Sequence, residues 1–234
     1  MAKNVAEQLV DTLEKAGVKR IYAVTGDSLN EVNEAVRKNG KIKWIHVRHE
    51  ETGAYAAAAE AQLSGELACC AGSSGPGHVH LINGLYDAQR TGVPVLAIAS
   101  TLPTHEFGTE YFQETNTIKL FEDCSHYNQV ATTPEQFPRM LQGAIQAALS
   151  FRGVGVIGLP GDLTSKTASE GESSQLPFPT RQRVCPSAGE INELADLLNK
   201  AEKVTLFCGI GAKDAHKELV ELSQLLNAPV AYSF

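Results

Sequence analysis

Positive charge is scarce in this sequence: 20 Lys and Arg stand against 27 Asp and Glu, leaving a formal charge of −7. That deficit argues against nucleic acid as a partner, because phosphate recognition needs a basic footprint. Long hydrophobic runs are missing too. No apolar stretch approaches the ~18 residues of a membrane span. The opening "MAKNVAEQLV" has no secretory h-region and instead starts an amphipathic helix. Cysteines are few, odd in number at five, and lack metal-ligand spacing. Cys69 and Cys70 sit inside an apolar run and read as buried small hydrophobes. A reduced, cytoplasmic protein fits that usage. No Ser-His-Asp ordering, paired-carboxylate pattern or zinc motif stands out, and no internal repeat is evident.

What is present is an ordinary globular composition, 43% hydrophobic and 20% charged, in a chain of 234 residues, long enough for one large or two small domains. Strand-like and helix-like segments alternate. Strands are expected at residues 20–24, 42–47, 66–72, 93–100, 126–132 and 153–160. Between them lie "TGDSLNEVNEAVRK", with capping-box spacing at Ser28 and Glu31, an alanine-rich helix after "RHEE", and a helix from the glycine-rich turn to about Arg90. Thr133-Pro134 with Gln136 opens another to about Ser150. Near-continuous apolar strands such as "VPVLAIAS" point to an α/β fold with a doubly covered parallel sheet. Residues 1–160 are read as this first domain and 161–186, rich in Ser, Thr, Glu and Pro, as a linker. Residues 187–234, opened by a second capping box at Ser187 and Glu190, read as the truncated start of a second α/β domain. An unfinished sheet exposes strand edges, so self-association is expected.

Four stretches carry candidate chemistry, each with a plain structural reading beside it. Glu50 and Glu51 face a wall of alanines at a strand-to-helix junction. Carboxylates there either complement the helix macrodipole or handle protons at a closely approached ligand. "GSSGPGHVH" has no Lys-Ser/Thr pair, so it is not a P-loop. Pro76 suits a helix N1 position, and Gly77 lets a flat ligand lie against backbone. His78 and His80 are two apart and point to different sides of a helix, which argues against a shared metal. In "EYFQET", Phe112 and Gln113 either close a small pocket or pack Phe112 into the core, and taken alone the second reading is favoured. In "CGIGA", Gly209 and Gly211 form either half of a dinucleotide fingerprint or a tight turn.

Taken together and in order, "GVKRIYAVTGDSLN", "RHEE", "AEAQLSGELACCAGSSGPG", "HLINGLYDAQRTGVPVLAIAS", "YFQET", "CSHY" and "LPGD" resemble bacterial pyruvate oxidases of the pyruvate:quinone oxidoreductase type, which depend on thiamine diphosphate and FAD. The resemblance implies that the first domain is a pyrimidine-binding domain and the second the start of a central FAD-binding domain. Glu50 matches the catalytic carboxyl group that hydrogen-bonds pyrimidine N1′ and so promotes loss of the thiazolium C2 proton. Gly26, Pro76, Gly77 and Asn83 match residues bordering the pyrimidine, and His80, Phe112 and Gln113 match residues facing pyruvate. Gly209 and Gly211 fall in the FAD-binding part. His78 departs from the family's usual Asn. No metal ligand is assigned, because the Gly-Asp-Gly…Asn signature that binds Mg²⁺ and diphosphate is absent from these residues. The resemblance thus implies the N-terminal part of a cytoplasmic, homo-oligomeric enzyme that converts pyruvate to acetate or acetyl phosphate, with electrons passing to quinone or oxygen. Peripheral membrane association of the intact enzyme is compatible with it. The isolated chain, holding half of a composite site, is expected to be inactive. An acetolactate synthase-type carboligase and a non-catalytic pairing module are the rivals.

Overall fold

The computed structural model describes residues 2–169 and 184–233. The chain divides into two units, Met1–Gln182 and Arg183–Phe234. In the first, helix α1 (Val5–Lys15) begins with a full capping box, in which Asn4 accepts from the Glu7 N–H and Glu7 accepts from the Asn4 N–H. Strand β1 (Arg20–Ala23), helix α2 (Asn30–Asn39), strand β2 (Lys43–His46), helix α3 (Glu50–Ser64) and strand β3 (Ala68–Gly72) follow. Next come two short helices, α4 (Pro76–Val79) and α5 (Ile82–Thr91), and strand β4 (Val95–Thr101). Helix α6 (Thr117–Leu120), strand β5 (Tyr127–Val130), helix α7 (Phe137–Phe151), strand β6 (Val154–Pro160) and helix α8 (Gly161–Thr164) complete the unit.

All six strands pair in parallel, in the order β2-β1-β3-β4-β6-β5. The expected doubly covered parallel sheet is therefore present, and its alternation explains the uninterrupted apolar strands. Cys69, Ala71, Leu96 and Ile98 face a core built with α1, α2 and α7. Ala68, Cys70, Val95, Ala97 and Ala99 face a second core built with α3 and α5. Successive residues of one strand thus serve opposite layers, and the adjacent cysteines point away from each other. On α7, Phe137, Leu141 and Ile145 are fully buried, each contributing about 1.5–3 kcal/mol relative to exposure. The alanines of α3 have a packing reason as well. A Cβ on Gly84 of α5 would stand 2.5 Å from Ala54 Cβ and 2.6 Å from the Tyr55 nitrogen, so the two helices cross at backbone contact.

Three local expectations are corrected. Ser28 does not cap α2, whose N-cap is Leu29 with no side-chain cap bond; its hydroxyl instead accepts from the Ser74 N–H at 3.0 Å. The helix expected through Arg90 is interrupted between Val79 and Ile82, giving α4 and α5. Gly161–Thr164, read as the beginning of a linker, form α8 with Leu163 and Thr164 buried, and Ala168 donates its N–H to the Lys3 carbonyl. Residues 170–183 of that linker lie outside the described residues.

In the second unit, helix α9 (Ala188–Lys200) starts with the expected capping box of Ser187 and Glu190. Strands β7 (Leu206–Cys208) and β8 (Val230–Tyr232) pair in parallel around helix α10 (His216–Leu226). No described helix is long and apolar enough to cross a membrane.

His78 is a buried strut. Its Nδ1–H donates to the Ser100 carbonyl at 2.7 Å, and the Thr115 hydroxyl donates to Nε2 at 2.6 Å. Burial pulls its pKa down, holding the ring in the neutral form that this donor–acceptor pair requires. One imidazole thereby ties α4 to the end of β4 and to the loop before α6. Replacing it by Ala strands buried polar groups, and His78→Ala is expected to cost about 1–3 kcal/mol in urea unfolding. Thr115→Val removes only the second bond and is expected to cost about 0.5–1.5 kcal/mol. Equal losses would contradict the strut.

Thiol reactivity follows from the same burial. Cys69, Cys70 and Cys124 are buried, and desolvation pushes the Cys70 thiol up to about 12 and that of Cys124 up to about 11. Titration of the native chain with a chromogenic disulfide near neutral pH is expected to count at most Cys185 and Cys208. All five thiols should appear on denaturation, and fast reaction of a third in the native chain would contradict this placement.

Candidate functional site

Beside β1 the strand order reverses: from β1 the chain moves outward to β2, then crosses back to β3 on the other side. Loops leaving the carboxyl ends of β1 and β3 therefore diverge and open a crevice there, the usual ligand position in such sheets. Gly26 follows β1, Glu50 follows β2, and the turn Ser73-Ser74-Gly75 follows β3. The crevice walls are stitched together by Ser28, whose hydroxyl accepts from the Ser74 N–H at 3.0 Å and whose carbonyl accepts from the Ser100 hydroxyl at 2.9 Å.

Glu50 is the first residue of α3 and is 8% exposed. The positive end of the helix dipole favours an anion there. His49 is the N-cap, its Nδ1 accepting from the Glu51 N–H at 3.3 Å. Glu50 Oε2 stands 3.1 Å from His80 Nδ1, and the His80 ring stacks on that of His49 with centroids 4.3 Å apart. Among the described residues Oε1 has no hydrogen-bond partner. A Cβ on Gly77 would lie 3.4 Å from that oxygen and 2.6 Å from Ser73 Oγ, so the missing side chain leaves backbone open beside the carboxylate. An unpartnered carboxylate oxygen next to bare backbone fits a flat, hydrogen-bonding ring, and hence the pyrimidine of thiamine diphosphate.

The other candidate residues are distributed unevenly around this centre. Gly26 abuts Ser73, where a Cβ would come within 2.4 Å of the serine Cβ. Pro76 opens α4 behind Gly75, which adopts φ +65°. Asn83 donates to Glu51 Oε1 at 2.9 Å and thereby holds the neighbouring carboxylate. Gln113, at φ +69°, accepts from the Ser74 hydroxyl at 3.3 Å, which folds its loop over the glycine-rich turn. Phe112 is 78% exposed, so the reading that buries it in the core is corrected. A cleft of about 880 Å³ opens beside that loop, with Gln113, Thr115, Thr117, Tyr111 and Thr132 on its walls; Glu50 does not line it.

His78 and His80 do point to different sides, as the spacing requires. The sequence reading missed His49 as a partner of His80. Its only signal was adjacency to Glu50, because the stack depends on α4 returning alongside α3. In the second unit Gly209 follows β7, but a turn of 3-10 helix, Ile210–Ala212, separates it from α10. Gly209 therefore does not abut the N-terminus of α10. A cleft of about 710 Å³, lined by Gly209, Lys213, His216 and Tyr232 among others, opens at this edge.

Comparison with known proteins bears on the same residues. The family described as thiamine pyrophosphate enzyme, N-terminal TPP binding domain, matches residues 3–120, and the family's central domain matches 191–234. The chain is 50% identical over 231 residues to an uncharacterized 42.6 kDa protein in the isoamylase 3′ region of Pseudomonas amyloderamosa, covering 98% of this chain and 58% of that protein. It is 36% identical to pyruvate oxidase of Lactiplantibacillus plantarum, covering 97% of this chain and 38% of that enzyme. It is 30% identical to chloroplastic acetolactate synthase 3 of Brassica napus, covering 97% and 35%. The chain thus spans between 35% and 58% of the length of these relatives. With the N-terminal family matched from Lys3 to Leu120, across the crevice that holds Glu50, the chain belongs to the thiamine pyrophosphate enzymes.

Proposed function

We propose that the first unit, through α8 and Ala168, is the pyrimidine-binding domain of a thiamine diphosphate- and FAD-dependent pyruvate oxidase, that the residues from there to 186 are a linker, and that 187–234 begin its central FAD-binding domain. The observation that carries this reading is Glu50: a buried carboxylate at the strand-order reversal, held through Oε2 by His80 and free at Oε1 beside Gly77. Support for pyruvate as substrate comes from the relative named pyruvate oxidase, at 36% identity. An acetolactate synthase-type carboligase is the second reading, favoured by the 30% identity to that relative over nearly the same residues.

In this reading Glu50 holds a proton at Oε1 against a ring nitrogen of the pyrimidine. His80 fixes the carboxylate's orientation, and Gly26, Pro76, Gly77 and Asn83 border the ring. His80, Phe112 and Gln113 face pyruvate from the loops above. Thiamine diphosphate supplies the electron sink for decarboxylation when bound. Its diphosphate and Mg²⁺ are held by residues outside these 234. Gly209 and Gly211 would border FAD, which would supply the electron-accepting chemistry toward quinone or oxygen. The assembly is a homo-oligomer, in which the exposed Ile191, Leu194 and Leu197 of α9 find cover.

The test is thiamine binding by residues 1–234, followed by saturation-transfer NMR on the aminopyrimidine protons. Wild-type chain is expected to give a signal that Glu50→Gln abolishes, with the far-ultraviolet circular dichroism unchanged. An equal signal in Glu50→Gln overturns the assignment. The same chain, supplied with pyruvate, thiamine diphosphate, Mg²⁺, FAD and an artificial acceptor, is expected not to turn over. Turnover lowered by about 10²–10⁴ in Glu50→Gln would place the diphosphate site within these residues.

A further inference from the structure

We propose that His49, Glu50 and His80 form a binding site for a divalent cation of the zinc class. Each of the three offers one ligand atom, and these atoms all lie within 4.8 Å of one another. Two imidazole nitrogens and one carboxylate oxygen are a donor set that zinc accepts, with a fourth position left for water, whereas Mg²⁺ and Ca²⁺ prefer oxygen alone. The carboxylate is buried, and all three residues sit at helix ends: His49 and Glu50 at the start of α3, His80 at the C-cap of α4.

Zinc bonds of about 2.0–2.2 Å in a tetrahedron set neighbouring ligand atoms about 3.3–3.5 Å apart. Glu50 Oε2 and His80 Nδ1, at 3.1 Å, are already close to that spacing. The widest pair must close by about 1 Å. Rotation of the two imidazoles, 48% and 42% exposed, supplies it while unstacking the rings, and Glu50 stays in place. Glu51, whose Oε1 is anchored by Asn83, adds a second carboxylate beside His49. The two carboxylates offset the unfavourable positive end of α3. One consequence rests on the reading of Glu50 given above: cation and pyrimidine compete for one carboxylate, so the metal acts as an inhibitor.

The experiment is a titration of the tag-free chain with Co²⁺, read by the visible absorption of the four-coordinate ion, followed by displacement with Zn²⁺. One equivalent per chain is expected, with affinity falling at least about tenfold in His49→Ala and again in His80→Ala. His216→Ala, in the second unit, should leave it unchanged. A His49→Ala/His80→Ala chain that keeps its circular dichroism and binds Co²⁺ as tightly as wild type overturns the site, as does an absence of saturable binding in wild type. No cofactor enters this readout, so it stands apart from the test of Glu50 with thiamine. Thiamine binding weakened by Zn²⁺ supports the competition, and undiminished binding to the Zn²⁺-saturated chain overturns the competition alone.

Discussion

Burial of both faces of a parallel sheet is the constraint on which the rest of this structure depends. A strand covered on two sides has little room for an unpaired polar side chain; β3 and β4 run Ala68–Gly72 and Val95–Thr101 with every residue buried, and the polar Ser100 and Thr101 stand only at the last two positions of β4, each hydrogen-bonded. Polar chemistry is thereby displaced to the ends of the strands. At the carboxyl ends it is concentrated by topology, since where the order reverses between β1 and β3 the adjacent loops part. Gly26, Glu50 and the turn from Ser73 meet there because three strands deliver them there.

Within that crevice the carboxylate is held by effects of modest individual size. The helix dipole contributes about 0.3–1 kcal/mol to an anion at the first turn. His80 supplies a hydrogen bond to Oε2 alone, and Gly77 withholds a side chain from the neighbourhood of Oε1. The result is asymmetric: one oxygen is anchored and the other is available. Glu51, one residue on, shows the contrast, because its side chain is partly exposed and directed to Asn83 and His49. Two adjacent glutamates thus have different environments for reasons set by helix phase.

Much of the fold was legible because hydrophobic periodicity is local and strong. The six strands, their parallel pairing and the capping box of Ser187 with Glu190 follow from patterns a few residues long. The failures share one cause, competition from a distant partner. Ser28 has the spacing of a cap but bonds to Ser74, brought near only by the β1–β3 pairing. Phe112 looks like a core aromatic, yet its loop is drawn over Gly75 by Gln113 and leaves the ring in solvent. At Glu50, position at a strand-to-helix junction was legible, while the His80 bond and the His49 stack were not, since thirty residues separate the partners.

The same reasoning separates what the alanines of α3 do from what Glu50 does. Ala54, Ala57, Ala58 and Ala61 are buried against α5 and the sheet, and Gly84 brings the α5 backbone to Ala54. Small residues are needed there whether or not a ligand binds, so the alanine run alone is no evidence of a cofactor. What the close crossing does achieve is positional. It fixes α3 against α5 and hence sets the first turn of α3 against the end of α4, where His80 lies. A bulkier residue at Ala54 or Gly84 would push the helices apart and carry Glu50 away from His80 without touching either. The packing and the site are therefore coupled through helix separation, and the alanines matter to the carboxylate as spacers rather than as surroundings.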